Sequence, residues 1–468
     1  MRAKDLALGS KDLPEAPPLR KLIGPSFIIL GLGLGSGEVV LWPYMASNYG
    51  LGIVWGMLIG ITMQFFINME VERYALINGE SIFVGFARLL RWLPMWFIIS
   101  TFLGFGWPGI GLYGATLLSK AFGFSNPNLI GVVLFVAIGL ILSLGTVLYK
   151  TVETLQKYII SIGVPFIVVL TYSLASRAEV GELVQGLMGQ GSLNGEPYLF
   201  LPVGIAMGTF LGALAYAGAG GNLNLTQSCY VRDKGYGMGK YADKITSLVT
   251  SKEGSHSFTL TGNTFPPTEE NLKRFRQWWK AVNTEHFLVF WALGLFTMLT
   301  LSLLAYITTF GLEGNAEGIN FVVNEAVAIG QRTIPFLGTL FLLVTGIMLA
   351  ATQLTVLDST SRIITENLLL LTNKKSIRVS KVYYCVLWTQ ILFGIIVFSA
   401  GFDQPLTLII LGAMINAFSM FVYSGIILVL NNKLLAKAVR PRPWRNLVMT
   451  ATFLFLGFFC VVTLVTKL

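Results

Sequence analysis

The sequence predicts an all-α membrane protein with eleven crossings, and three observations carry that expectation. Of 468 residues, 54% are hydrophobic and only 12% charged, with mean hydropathy +0.70; soluble domains carry about 25% charged residues. Several apolar runs exceed the roughly 18 residues that span a bilayer. Lys and Arg also gather on alternate connections. With spans at 22–46, 50–70, 94–119, 129–149, 156–175, 199–229, 285–311, 335–357, 382–401, 406–430 and 447–466, only Lys120, Arg177, Arg332 and Lys467 of the 33 basic residues lie on the face opposite the N-terminus. The positive-inside rule then predicts a multi-pass plasma (inner) membrane protein with its N-terminus cytoplasmic and its C-terminus outside.

The formal net charge of +10 is therefore a property of one membrane face, and nucleic acid is not an expected partner. Cys229, Cys385 and Cys460 are too scattered for a disulfide framework or a zinc site. Residues 1–21 are polar and basic, and the apolar run after them is too long for a cleavable signal.

Taken in order, residues 1–21 read as a cytoplasmic segment and 22–175 as a first group of five helices. Residues 199–430 read as a second group of five, and 447–466 as an eleventh, peripheral helix. The second group contains a basic cytoplasmic loop, 231–284. Its aromatic-basic stretch from Lys273 to Lys280 reads equally as an amphipathic helix on the headgroups or as solvated chain leading into span 7. The 312–334 connection carries Glu313, Glu317 and Glu325, expected to be solvated around a short helix. Trp107-Pro108-Gly109 should kink span 3, since proline lacks an amide donor.

Spans 1 and 6 are glycine-rich in the middle. The first reads Gly31-Leu-Gly33-Leu-Gly35-Ser36-Gly37-Glu38, and the second reads Leu214-Ala-Tyr216-Ala-Gly218-Ala219-Gly220-Gly221-Asn222-Leu-Asn224. Each interior glycine costs a helix about 1 kcal/mol relative to alanine. Two interrupted helices five spans apart point to an inverted-repeat transporter with a site at the bilayer midplane. The competing explanation is packing, because glycines also let helices approach closely.

Glu38 is the one carboxylate expected near the midplane, and an intramembrane acid is a functional candidate by default. Glu70, Glu72, Glu153 and Asp358 sit at span ends, where they are expected to reach water. The candidate substrate site is therefore Glu38, Ser36, Gly35, Gly37, Tyr216 (through its carbonyl), Ala219, Asn222 and Gln227. Glu38 and Asn222 are the candidate metal ligands. The helix breaks are placed at Gly33, Gly35, Gly37, Gly218, Gly220 and Gly221. Gln353, Thr355, Asn416 and Ser419 read as interhelical hydrogen-bonding groups.

Several short stretches in the right order resemble NRAMP-type divalent-metal transporters. They are Gly24-Pro25-Ser26-Phe27, Tyr49-Gly50 with Trp55, Asn222-Leu-Asn-Leu225 with Ser228, and Leu349-Ala-Ala-Thr-Gln353 with Glu366. The resemblance implies a LeuT-type fold: two inverted five-helix repeats with discontinuous helices 1 and 6, plus an eleventh helix. It also implies a secondary transporter that moves a cation, a divalent metal ion above all, by alternating access.

The motifs themselves depart from the family. Where it carries Asp-Pro-Gly-Asn, this chain has Gly35, Ser36, Gly37 and Glu38. Where it carries Met-Pro-His, this chain has Ala219, Gly220 and Gly221. Spans 3 and 9 lack the family's charged residues. An all-oxygen donor set suits a hard cation, and proton coupling is expected to be weak or absent. An organic substrate such as an amine or amino acid is the alternative, with a non-transporting sensor behind it. No motif indicates an enzyme or a cofactor, and His256 and His286 fall outside both breaks.

Overall fold

The computed structural model describes residues 6–18, 22, 24–144, 148–243, 259–315, 319–372, 379–401 and 404–467. Ten helical runs in it are long and apolar enough to cross a membrane. They are spans 1 (Pro25–Tyr49), 2 (Leu51–Asn78), 3 (Leu93–Phe122), 4 (Pro127–Leu144), 5 (Leu148–Leu174), 7 (Glu269–Thr309), 8 (Pro335–Thr372), 9 (Val379–Ser399), 10 (Pro405–Leu434) and 11 (Pro443–Val465). The sixth crossing is split into Met207–Ala215 (6a) and Gln227–Lys234 (6b), joined by irregular chain and a 3-10 turn at Gly221–Thr226.

Burial ranks the spans from centre to edge. The most apolar stretch of span 1 is 94% buried, against 67% for spans 2 and 8 and 33% for spans 4, 5 and 11. Span 8 packs along spans 1, 3 and 5, while span 10 packs along 6a and span 11. Span 1 is thus walled in by protein, the setting in which a membrane span can carry glycines and an acid at its middle.

Two connections differ from expectation. The aromatic-basic stretch is neither separate from span 7 nor irregular. A helix starts at Glu269, capped by the Thr268 hydroxyl, and runs into span 7 with Phe275, Trp278 and Val282 buried. In the 312–334 connection the helix Asn320–Arg332 buries Glu325, 2% exposed, instead of leaving it solvated. Glu317 lies outside the described residues.

At the end of the bundle opposite the N-terminus, a hairpin (Gln190–Leu193 with Glu196–Leu199) lies over the turn between spans 1 and 2. The Tyr198 hydroxyl donates to the Tyr49 carbonyl at 2.6 Å, and the Trp55 indole donates to the Phe200 carbonyl at 2.8 Å. At the N-terminal end, Gly9–Ser10 pairs in parallel with Asn263–Thr264.

Candidate functional site

The two glycine-rich stretches break their helices in different ways. Span 1 is not unwound. Its α-helix runs from Pro25 to Gly35, gives way to a π-helical turn at Ser36–Leu41, and resumes at Trp42. The Trp42 amide reaches the Gly37 carbonyl, five residues back. One extra residue is thus accommodated without freeing the backbone, a device common at functional sites. Span 6 does come apart, through Tyr216–Gly220. Gly220 and Gly221 hold φ of +74° and +47°, which side chains rarely adopt.

Each glycine of span 1 meets a different neighbour. A β-carbon on Gly31 would strike Gln156 of span 5, and one on Gly35 would strike Thr352 of span 8. One on Gly33 would lie 2.9 Å from the Gly218 backbone, and one on Gly37 would collide with the Tyr216 carbonyl. Gly33 and Gly37 therefore let the backbone of the span 6 break lie directly on span 1. Close packing, the competing explanation for the glycines, accounts for this face.

The freed groups of span 6 are capped by side chains from other spans. Gln64 of span 2 donates its amide to the Ala215 carbonyl at 2.9 Å and, more weakly, to the Leu214 carbonyl at 3.4 Å. Its oxygen accepts the Gly220 amide at 3.0 Å. One side chain thus bridges both edges of the break. Tyr423 of span 10 donates to the Gly221 carbonyl at 2.8 Å. Asn416 donates to the Tyr216 hydroxyl at 2.9 Å.

Span 3 is handled in the same way. Its helix stops at Phe105 and restarts at Gly109. The Gly104 carbonyl, which Pro108 cannot serve, accepts instead from Asn416 at 3.0 Å, and the Gly111 amide donates to Gln353 at 2.9 Å. Gln353 and Asn416 therefore act as interhelical hydrogen-bonding groups, as does Thr355, which meets Gln156 at 2.5 Å. The Ser419 hydroxyl is buried without a partner among the described residues.

Glu38 is fully buried, and neither of its carboxylate oxygens has a hydrogen-bond partner among the described residues. It sits in the π turn and looks toward span 7: a β-carbon on Gly294 would lie 3.5 Å from its Oε1, with Leu30 and Ile61 beside it. Asn222 turns elsewhere, donating to the Ser100 and Thr101 hydroxyls of span 3 at 2.8 and 2.9 Å, with its own oxygen unpartnered among the described residues. Gln227 donates to Glu72 at 3.0 Å. Tyr216 and Ala219 are buried at the break, and the Tyr216 ring stacks on Phe105 with centroids 5.8 Å apart. The Ser36 side chain lies outside the described residues.

The structure thus brings together Gly33, Gly37, Tyr216 and Gly218, but directs Glu38 and Asn222 to different neighbours. A cavity of about 10 Å³ adjoins the break between Phe105, Trp107, Tyr216 and Gln353, which is room for one water. Among the described residues no group of three or more His, Cys, Asp or Glu is placed to hold a metal ion.

The acids at the span ends are buried too, not solvated. Glu70 and Asp358 are 1% and 0% exposed. Glu70 takes Arg73 at 2.8 Å and Arg445 at 2.7 Å. At the C-terminal end of span 6, Arg232 and Arg362 bind Asp233, at 3.0 and 2.5 Å. Arg232 also reaches Glu366 at 2.6 Å, and Arg362 reaches Asp358 at 3.0 Å. Tyr230 and Tyr383 donate to Asp358 at 2.9 and 2.7 Å. His286 is buried in span 7, with its Nδ1 3.0 Å from the Ser26 hydroxyl; His256 lies outside the described residues.

Sequence reasoning missed Gln64 and its neighbour Asn68, a fully buried amide with no partner on either atom among the described residues. A signal was present. Gln64, Asn68 and Glu72 recur every four residues and put one polar stripe on an apolar helix.

No protein-family model matches the chain, and no curated protein matches it in sequence. Solved structures do. A manganese transporter from Eremococcus coleocola superposes with a TM-score of 0.67 at 12% identity, covering 98% of this chain and 90% of its own. MhsT, solved in complex with L-phenylalanine, gives 0.56 at 13% identity over 95% and 98%. Mhp1, a nucleobase-cation-symport-1 family transporter with bromovinylhydantoin bound, gives 0.53 at 12% identity over 99% and 91%. These neighbours are transporters, not enzymes.

The fold is therefore the LeuT type, and the chain is a multi-pass membrane protein of transporter architecture. Of the three scores, the highest falls to the manganese transporter, in agreement with the NRAMP-type resemblance of the sequence.

Proposed function

We propose that the chain is a secondary transporter of a positively charged solute, a divalent metal ion first, working by alternating access around the span 6 break. Buried, unpartnered Glu38 carries the proposal. An ionised carboxylate without a partner costs several kcal/mol in a low-dielectric interior, so a retained one implies a counter-charge in part of the working cycle. Most backbone groups of the break are already capped, which leaves Glu38, the Asn222 oxygen and the Tyr216 carbonyl as the available hard donors. Such oxygens favour Mg²⁺ or Mn²⁺ over Cd²⁺.

Glu38 and Asn222 face apart in this closed arrangement, so ligand entry requires span 1 to move against span 6, the motion alternating access supplies. The basic end carrying the N-terminus is assigned to the cytoplasm, in the plasma (inner) membrane, with the C-terminus outside. The two five-helix groups, 22–175 and 199–430, are assigned as inverted repeats. Spans 3 and 9 carry no charge in the membrane, which supports weak or absent proton coupling.

A second reading, an organic cation such as an amine, is favoured by Phe105, Trp107 and Tyr216 around the small cavity at the break.

The deciding measurement is cation flux into proteoliposomes with wild-type chain and Glu38→Gln. The proposal expects saturable Mn²⁺ or Mg²⁺ uptake that Glu38→Gln abolishes, without acidification of the lumen. Uptake of amines alone supports the second reading. Unchanged flux in Glu38→Gln would place the site elsewhere.

A further inference from the structure

A cavity of about 410 Å³ lies apart from the break, at the N-terminal end of the bundle. It is enclosed by the helix leading into span 7, the end of span 2 and the start of span 11. Arg73, Arg276, Arg440, Arg442 and Arg445 line it. Glu70 answers part of this charge through Arg73 and Arg445. Arg276 and Arg442 are exposed and make no ion pair among the described residues, and Arg440 uses its Nε on the Leu435 carbonyl.

Two tryptophans frame the same cavity. Arg73 lies 3.9 Å and Arg445 4.8 Å from the Trp279 ring centroid, and Arg445 lies 5.1 Å from that of Trp444. Just beyond the cavity into the bundle, the surface turns apolar: Leu447 is 71% exposed, Leu288 53% and Phe287 44%.

We infer that this cavity binds the phosphate headgroup of an anionic phospholipid, with the acyl chains along Leu447, Phe287 and Leu288. The chemistry is consistent at each level. Guanidinium forks match phosphate oxygens two at a time. Tryptophans settle at the headgroup depth of a bilayer. Basic pockets between helices at a membrane face select anionic headgroups. A lipid wedged there would tie spans 2, 7 and 11 together without entering the transport site.

The test uses the full-length chain in detergent, with its melting temperature read in mixed micelles of phosphatidylglycerol or phosphatidylcholine. Phosphatidylglycerol should raise the midpoint above phosphatidylcholine, and Arg276→Gln/Arg442→Gln should lose at least half of that difference. Both arginines are exposed, so the variant should fold. Lys150→Gln/Lys381→Gln, which removes two exposed charges away from the cavity, should keep the whole difference. Equal midpoints in the two lipids, or a difference retained by the arginine variant, would overturn the inference. A third arm adds inorganic phosphate to phosphatidylcholine micelles. If that reproduces the shift, the ligand is a free anion and the lipid assignment is wrong.

Discussion

Two regions of this molecule bury charge and treat it in opposite ways. At the N-terminal end, Asp233, Asp358 and Glu366 are matched by Arg232 and Arg362, with tyrosine hydroxyls filling further sites. In the middle, Glu38 has no hydrogen-bond partner among the described residues. A matched network fixes helices against one another, and removing one member leaves an orphan charge. An unmatched acid holds nothing in place, so its retention needs a reason other than stability. Gly33 and Gly37, on the face turned to span 6, bring two backbones together, while Glu38 looks toward span 7 between Leu30 and Ile61.

Substitutions at the two regions should separate these roles. The largest effect is expected at Arg362→Met, which leaves Asp358 without its arginine and Asp233 with Arg232 alone and should cost about 3–5 kcal/mol, read as a lost or strongly lowered melting transition. A wild-type midpoint would mean that the network contributes nothing to the fold. Next comes Gln64→Leu, which uncaps the Ala215 carbonyl and the Gly220 amide. At roughly 1–3 kcal/mol for each buried group left unsatisfied, it should lower stability by about 3 kcal/mol. Gln64→Glu, which keeps the acceptor only, should fall between.

Glu38→Gln should leave stability within about 1 kcal/mol of wild type, since no hydrogen bond is lost, while cation-dependent stabilisation disappears. A large destabilisation would show that Glu38 belongs with the structural charges after all. The smallest effect is expected at Glu325, on the peripheral helix Asn320–Arg332. Burial raises its carboxyl well above the ordinary value of 4.5. A raised acid stabilises the fold less as pH climbs, so stability should be highest below about pH 4.5 and decline above it. Glu325→Gln should flatten that slope in melting curves taken across pH.

Much of this architecture was legible in the sequence. Apolar length and the placement of lysine and arginine indicated eleven crossings, and the Gly218–Asn222 stretch indicated the break in span 6. Pro108 marked the interruption of span 3. The glycines of span 1 carried a less definite message. A glycine every second residue is compatible with unwinding, with a π turn or with close packing on all sides, and only the neighbours decide. The acids at span ends were misread for a related reason. Glu70 and Asp358 close the apolar runs in sequence, but their helices continue to Asn78 and Thr372; Glu70 then meets Arg445 from far along the chain, and Asp358 meets Arg362 one turn further on in its own helix. The caps Gln64 and Asn416 were hardest to recognise, because an amide in an apolar span says only that it needs a partner, not which helix is broken nearby.

The N-terminal segment carries a mechanical consequence. The Leu13 and Pro14 carbonyls accept from Arg274 and Trp278 on the helix that leads into span 7, at 2.8 and 2.7 Å. The Asp12 carbonyl accepts from Tyr241, just past half-helix 6b, at 3.1 Å. A single strand of chain is thus pinned to the approaches of both spans 6 and 7, like a belt over two pulleys. Any motion that slides one against the other must stretch or unhook it, so the leading residues set how far these ends of the two helices can part.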